Sequence, residues 1–264
     1  MEFQRKDKYS MDDLLEIMKI LRAPGGCPWD REQTHQSIRN CFIEETYEAV
    51  EAIDTEDPVL LQEELGDVLL QVVFHAQIEA EAGRFTMDDV ADGVCKKMIY
   101  RHPHVFGTAE AKTSEDVLAN WDALKQKEKH QKSTTDALES VARSLPGLIR
   151  AEKVQHKAAK VGFDWDDVSG ALEKVREETA EVARAVAGDG DPSEELGDLL
   201  FAAVNVARFL KTDPEEAISR TTDKFIRRFA QVEQAARDAG KDLADMSLAE
   251  MDALWDAAKQ KEHT

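Results

Sequence analysis

Two acidic phrases recur along the chain at matching spacing. Glu44-Glu45-Thr46-Tyr47-Glu48 precedes Glu64-Leu65-Gly66-Asp67, and Glu177-Glu178-Thr179-Ala180-Glu181 precedes Glu195-Leu196-Gly197-Asp198. Residues three apart share a helix face, so Glu178 and Glu181 project together, as do Glu195 and Asp198, and Glu45, Glu48, Glu64 and Asp67 repeat the plan. Two like charges about 4 Å apart repel by roughly 4 kcal/mol at an effective dielectric near 20, so four converging carboxylates call for a cation. Oxygen donors with no nearby Cys or paired His suit Mg²⁺, or Mn²⁺ in its place, better than zinc. A Mg²⁺ held by few carboxylates keeps positions open for water and phosphate oxygens. The competing possibility for any Glu pair on a helix is a solvated face. Here each acidic pair borders an apolar run, Val68-Leu69-Leu70 or Leu199-Leu200-Phe201, and a partly buried carboxylate needs a partner.

Basic residues follow each acidic set. Lys224, Arg227 and Arg228 follow the second, Lys97 and Arg101 the first. Beside a bound divalent ion they suit a polyphosphate, whose transferred and leaving oxygens gain charge. Trp121 and Trp255 occupy equivalent places near the ends of the two halves, where an indole either fills a core or stacks on a base. Trp29 and Trp165 are expected in the core, and His102-Pro103-His104 reads as a helix stop. These residues alone specify a polyphosphate and a metal, and no more.

Apolar residues recur with helical spacing throughout, so an all-α protein of two tandem helical-bundle domains is expected. Helices are predicted at 11–22, 33–53, 58–82, 87–101 and 115–132, then at 146–160, 170–187, 192–211, 214–239 and 248–261. Asp57-Pro58, Asp191-Pro192 and Asp213-Pro214 each supply a cap followed by proline at the first helical position, Thr86 and Ser114 are further caps, and Gly83 suits a left-handed C-terminal cap. The short loop Gly188-Asp189-Gly190-Asp191 makes its flanking helices antiparallel neighbours and sets their acidic pairs opposite each other. The glycine within each Glu-Leu-Gly-Asp costs its helix roughly 1 kcal/mol against alanine, which close helix packing or room for a ligand would explain. Polar residues from Ser133 to Ser144 suggest a linker. The domains are therefore placed at 1–135 and 136–264.

The formal charge of −20 over 264 residues disfavours a nucleic-acid or anionic membrane partner. Cys27, Cys41 and Cys95 form no CxxC, and an odd count argues against a disulfide framework. No signal-like or membrane-spanning run is evident, so a cytoplasmic protein is expected. P-loop, nucleophile-elbow and dinucleotide fingerprints are missing from the sequence.

Glu-Glu-x-x-Glu, a spacer and Glu-x-x-Asp, present twice with Gly-Cys-Pro-Trp-Asp, Arg-His-Pro-His-Val-Phe and Lys-Phe-Ile-Arg-Arg-Phe segments, resemble the MazG family of nucleoside triphosphate pyrophosphohydrolases. The resemblance implies hydrolysis of an NTP to its monophosphate and diphosphate, by attack of water at the α-phosphorus. It implies Mg²⁺ on Glu178, Glu181, Glu195 and Asp198, and substrate contacts from Lys174, Glu177, Glu194, Lys224, Arg227, Arg228 and Trp255. A homodimer and a role in nucleotide housecleaning or stress-linked nucleotide control are implied as well. The resemblance further implies catalysis in the second copy, the first serving mainly in assembly in two-domain members, yet here Glu45, Glu48, Glu64 and Asp67 remain as a second possible metal site, with Lys97 and Arg101 as its phosphate site. A non-catalytic helical scaffold for a basic partner is the alternative.

Overall fold

The computed structural model describes residues 3–109, 113, 116, 117, 121, 124 and 133–261, and all regular structure among them is helical. The chain divides into two compact units, Met1–Lys125 and Gln126–Thr264, ahead of the boundary expected at Asp136. The predicted helix at 115–132 and its cap Ser114 lie largely outside the described residues.

The first unit contains α1 (Met11–Arg22), α2 (Pro28–Glu32), α3 (Arg39–Asp54), α4 (Pro58–Glu81), α5 (Met87–Arg101) and the single turn α6 (Pro103–Phe106). Asp57 caps α4 by accepting from the backbone N–H groups of Val59 and Leu60, and Thr86 caps α5 in a reciprocal box with Asp89. Gly83 takes the left-handed backbone expected of it (φ 69°). Met18, Ile38, Val73 and Phe74 form one buried cluster, flanked by Leu14, Leu15 and Leu70. The third helix begins at Arg39 rather than Gln33, because the preceding segment is pulled onto α4. There His35 meets His75 (Nδ1 to Nδ1, 2.7 Å) and Glu79 (Nε2 to Oε1, 2.5 Å). Arg84 also grips Glu79, and its guanidinium, with His35, holds that carboxyl down at about 2.

The second unit contains α7 (Thr134–Glu139), α8 (Gly147–Ala159), α9 (Val168–Val186), α10 (Pro192–Phe209), α11 (Pro214–Asp238), a 3₁₀ turn (Leu243–Asp245) and α12 (Leu248–Lys261). The expected linker at 133–144 instead holds α7, capped by a Ser133–Asp136 box, and it ends on a buried Val141. Asp191 and Asp213 cap α10 and α11, each with proline following. Helices α9 and α10 pack along their length across the 187–191 loop, where Gly188 and Gly190 adopt positive φ (99° and 119°) that other residues disfavour. In α9 the buried residues are Ala171, Glu178 and Ala185, seven apart on one seam. Small alanines let α10 approach closely and bury the glutamate between them.

Two further sequence expectations change. Trp29 and Trp165 are not core residues: they are 61% and 42% exposed. Gly66 and Gly197 are exposed, and an added Cβ at either would meet nothing within 4 Å, so close packing inside the unit does not account for them. The substitution Gly197→Ala should therefore stabilise the isolated chain by about 0.5–1 kcal/mol, measured by urea unfolding followed by circular dichroism. A loss of stability would mean that the helix meets an obstacle at this position.

Candidate metal and phosphate site

Glu178 and Glu181 descend α9 while Glu195 and Asp198 sit in the opening turns of α10, where the helix N-terminus favours negative charge. Carboxylate oxygens of Glu178, Glu195 and Asp198 lie within 4.8 Å of one another, and those of Glu177, Glu178 and Glu181 form an overlapping group. Glu178 anchors both groups. It is 3% exposed, and its Oε1 lies 2.6 Å from Lys174 Nζ while its Oε2 is buried with no hydrogen-bond partner. Lys174 also reaches Glu177 (2.9 Å), and the two carboxylates, Glu178 foremost, push its ammonium well above the usual lysine range. Glu181 is half-buried and paired with Arg184 (2.8 Å), whereas Glu177, Glu194 and Asp198 are exposed. Burial first, then Glu181, Asp198 and Glu178, pushes the Glu195 carboxyl up.

An orphaned buried oxygen beside converging hard donors fits a divalent cation. Lys174 and Arg184 together cannot neutralise the set. The first unit gathers Glu45, Glu48 and Glu64 in the same way, and Asp67 stands near enough to raise Glu45 and Glu64, for both of which burial is the leading cause.

The expected basic residues lie on separate helices. Lys224 and Arg227 are exposed on α11, while Arg228 stacks over Trp255 (5.7 Å), whose ring also packs against Phe225 (5.0 Å between centroids). In the first unit Lys97 is exposed and Arg101 half-buried on α5. His102, at the expected helix stop, caps α5 and accepts no metal-like grouping among the described residues; its Nδ1 sits 2.7 Å from the Met98 carbonyl.

Sequence reasoning missed a cavity of about 740 Å³ beside the acidic group, bordered by Lys174, Glu178 and Asp198 at one side and by Gln155, Trp165 and Asn205 elsewhere. Trp165 stands at its wall because Gly170 has no side chain: a Cβ there would fall 2.3 Å from the indole. Arg208 braces the same wall by gripping the Asp164 carboxylate through both terminal nitrogens. One signal was available, since Gln155 interrupts the spacing Leu148, Ala151, Ala158 on the apolar side of its helix.

Fold and site together define a duplicated all-α protein with carboxylate clusters built for a hard cation and a cavity alongside. The profile of the MazG nucleotide pyrophosphohydrolase domain matches residues 33–106 and 167–233. Similar proteins include the nucleoside triphosphate pyrophosphohydrolase of Escherichia coli K12, 44% identical over 257 residues (96% of this chain, 98% of that one). The nucleoside triphosphate pyrophosphohydrolase/pyrophosphatase MazG of Thermotoga maritima is 43% identical over 256 residues (96% and 97%). YabN of Bacillus subtilis, described as uncharacterized, is 53% identical over 249 residues, covering 93% of this chain and 51% of its own length. The chain belongs to the MazG family and is an enzyme of the nucleotide pyrophosphohydrolase class. None of its described helices is long and apolar enough to cross a membrane.

Crowded carboxyls set a pH dependence. Glu45, Glu64 and Glu195 have folded-state values above their ordinary ones. Their contribution to stability is therefore present at low pH and is lost as pH rises through those raised values. The metal-free melting temperature near neutrality should rise in Glu195→Gln, and the further rise that Mn²⁺ or Mg²⁺ gives the parent protein should shrink in the variant. Equal metal-induced shifts in both would remove Glu195 from the cation site.

Proposed function

We propose that the second unit is a Mg²⁺-dependent nucleoside triphosphate pyrophosphohydrolase that converts an NTP and water to the monophosphate and diphosphate. The observation that carries this reading is Glu178, which is buried with its Oε2 unpartnered and which brings a carboxylate oxygen within 4.8 Å of those of Glu195 and Asp198. Two relatives matching nearly end to end carry that activity in their names, which supports it. A scaffold would have no use for a buried carboxylate oxygen without a partner.

Glu178, Glu181, Glu195 and Asp198 hold the cation. When bound, it supplies Lewis-acid neutralisation of the polyphosphate charge. Lys174 holds Glu178 and Glu177 in place through its two ion pairs. Glu177 and Glu194, exposed at the rim, border the entering substrate. Lys224, Arg227 and Arg228 receive the departing diphosphate, and Trp255 positions Arg228 through its ring face. Water oriented by the carboxylates gives up a proton to one of them and adds to the α-phosphorus as the bond from that phosphorus to the bridging oxygen breaks. The electron pair leaves with the diphosphate, whose developing charge the basic residues stabilise.

The protein acts in the cytoplasm as a homodimer, with nucleotide housecleaning or stress-linked nucleotide control as its role. Leu196, Leu200, Phe225, Ile226 and Phe229 are all exposed in the single chain, more apolar surface than scattered residues explain, and this supports pairing.

Supplying Mg²⁺ and a panel of NTPs should yield monophosphate and diphosphate in equal amounts. Joint substitution of Glu195→Gln and Asp198→Asn should lower kcat/KM by roughly a hundredfold or more, the loss of a few kcal/mol of charge stabilisation. The same pair of changes at Glu64 and Asp67 should leave most of the turnover. Release of orthophosphate alone, or equal losses from both pairs, would overturn this reading.

A further inference from the structure

The cavity beside the acidic group is walled by aromatic and apolar side chains and contains two amides whose orientations are fixed by their partners. Gln155 is 6% exposed and donates through Nε2 to the Phe201 carbonyl (2.7 Å). A carbonyl accepts only from the nitrogen end of the amide, so Oε1 must face the other way, and there it is buried without a hydrogen-bond partner. Asn205 accepts at Oδ1 from Arg208 Nε (2.8 Å), which leaves its Nδ2 to donate. Along α10, Asp198, Phe201 and Asn205 fall on successive turns, so the second amide lies about 10 Å along the helix from the acidic group.

The first unit differs at these same places. Asn205 follows Asp198 by the interval at which Phe74 follows Asp67. Gln155 precedes the left-handed Gly162 (φ 85°) by the interval at which Met18 precedes Gly25 (φ 88°). The two helices also share their burial pattern around Met18 and Gln155. Met18 and Phe74, 2% and 5% exposed, pack together in the first unit's core cluster. Where the second unit has two amides beside a cavity, the first has two apolar side chains within one buried cluster.

We propose that the second unit's cavity receives the nucleoside of the substrate and that Gln155 and Asn205 read its base, Oε1 of Gln155 accepting a base N–H and Nδ2 of Asn205 donating to a base acceptor. The first unit keeps its carboxylates but has filled the corresponding space, so it selects no base. This assignment rests on the pyrophosphohydrolase reading for its catalytic readout and adds to that reading where specificity resides. A buried amide oxygen left unpaired favours a ligand that supplies the missing N–H over one that does not.

The variant Gln155→Met reproduces the first unit's residue at nearly unchanged volume. For parent and variant, kcat/KM is measured on ATP, GTP, CTP, UTP and the base-free methyl triphosphate, and binding of AMP, GMP, CMP and UMP is followed by titration calorimetry. The ratio of kcat/KM on the preferred NTP to that on methyl triphosphate should fall at least tenfold, and affinity for the matching monophosphate should fall by a similar factor. Asn205→Ser should shift the ranking of the four bases. A ratio and an affinity within twofold of the parent, or a loss that methyl triphosphate shares in full, would overturn the proposal. If the parent turns over no NTP yet binds a monophosphate in a Gln155-dependent way, the nucleoside pocket stands and the pyrophosphohydrolase reading falls.

Discussion

Repulsion among carboxylates forced into one place is the constraint around which each unit is arranged. The seam of α9, with alanine one heptad to either side of Glu178, draws α10 close enough that a charge is buried between two helices. Hydrophobic packing alone would place an apolar residue there. What opposes the repulsion in the chain itself is small: Lys174, Arg184 on Glu181, the N-terminal end of α10, and the capped, glycine-bent loop that fixes the approach. These set the geometry without neutralising it, and the residual charge is the capacity for a cation.

Much of this was legible in the sequence because its causes are local. Asp-Pro pairs mark helix starts through a side-chain acceptor and a fixed φ, and all three such starts are seen. Acidic pairs three apart on helices joined by a short loop likewise need no distant information. The misplaced features all have distant partners. The start of α3 is delayed by His35, held by a glutamate 44 residues away. Trp165 was expected in the core because aromatic residues usually are, but its place is decided by a missing Cβ at Gly170 and leaves it half in solvent at a cavity wall. Gln155 acquires meaning only with Phe201, on a different helix.

Duplication makes the chain its own comparison. Both copies keep acids at matching positions, so charge alone cannot separate their roles; their interiors can. In the first, Met18 and Phe74 gain the usual stabilisation of buried large side chains, about 1.5–3 kcal/mol each. In the second, the buried set leans on alanines and small valines, and an amide oxygen is buried unpaired at a cost of about 1–3 kcal/mol. Among the described residues each unit buries one unpaired amide oxygen, Gln71 Oε1 in the first and Gln155 Oε1 in the second, and in the second that amide borders the cavity beside the acidic group.

That placement has a thermodynamic direction. A ligand that pairs the Gln155 amide and fills the cavity stabilises the second unit, so substrate and cation offset there the cost of the unpaired oxygen. At the matching positions the first unit has Met18 and Phe74 within its buried core cluster. Under the proposed assignment the two copies, alike in their acidic signature, are told apart by Gln155 on α8, which is buried, and Asn205 on α10, which is half-buried, with no change in the carboxylates themselves.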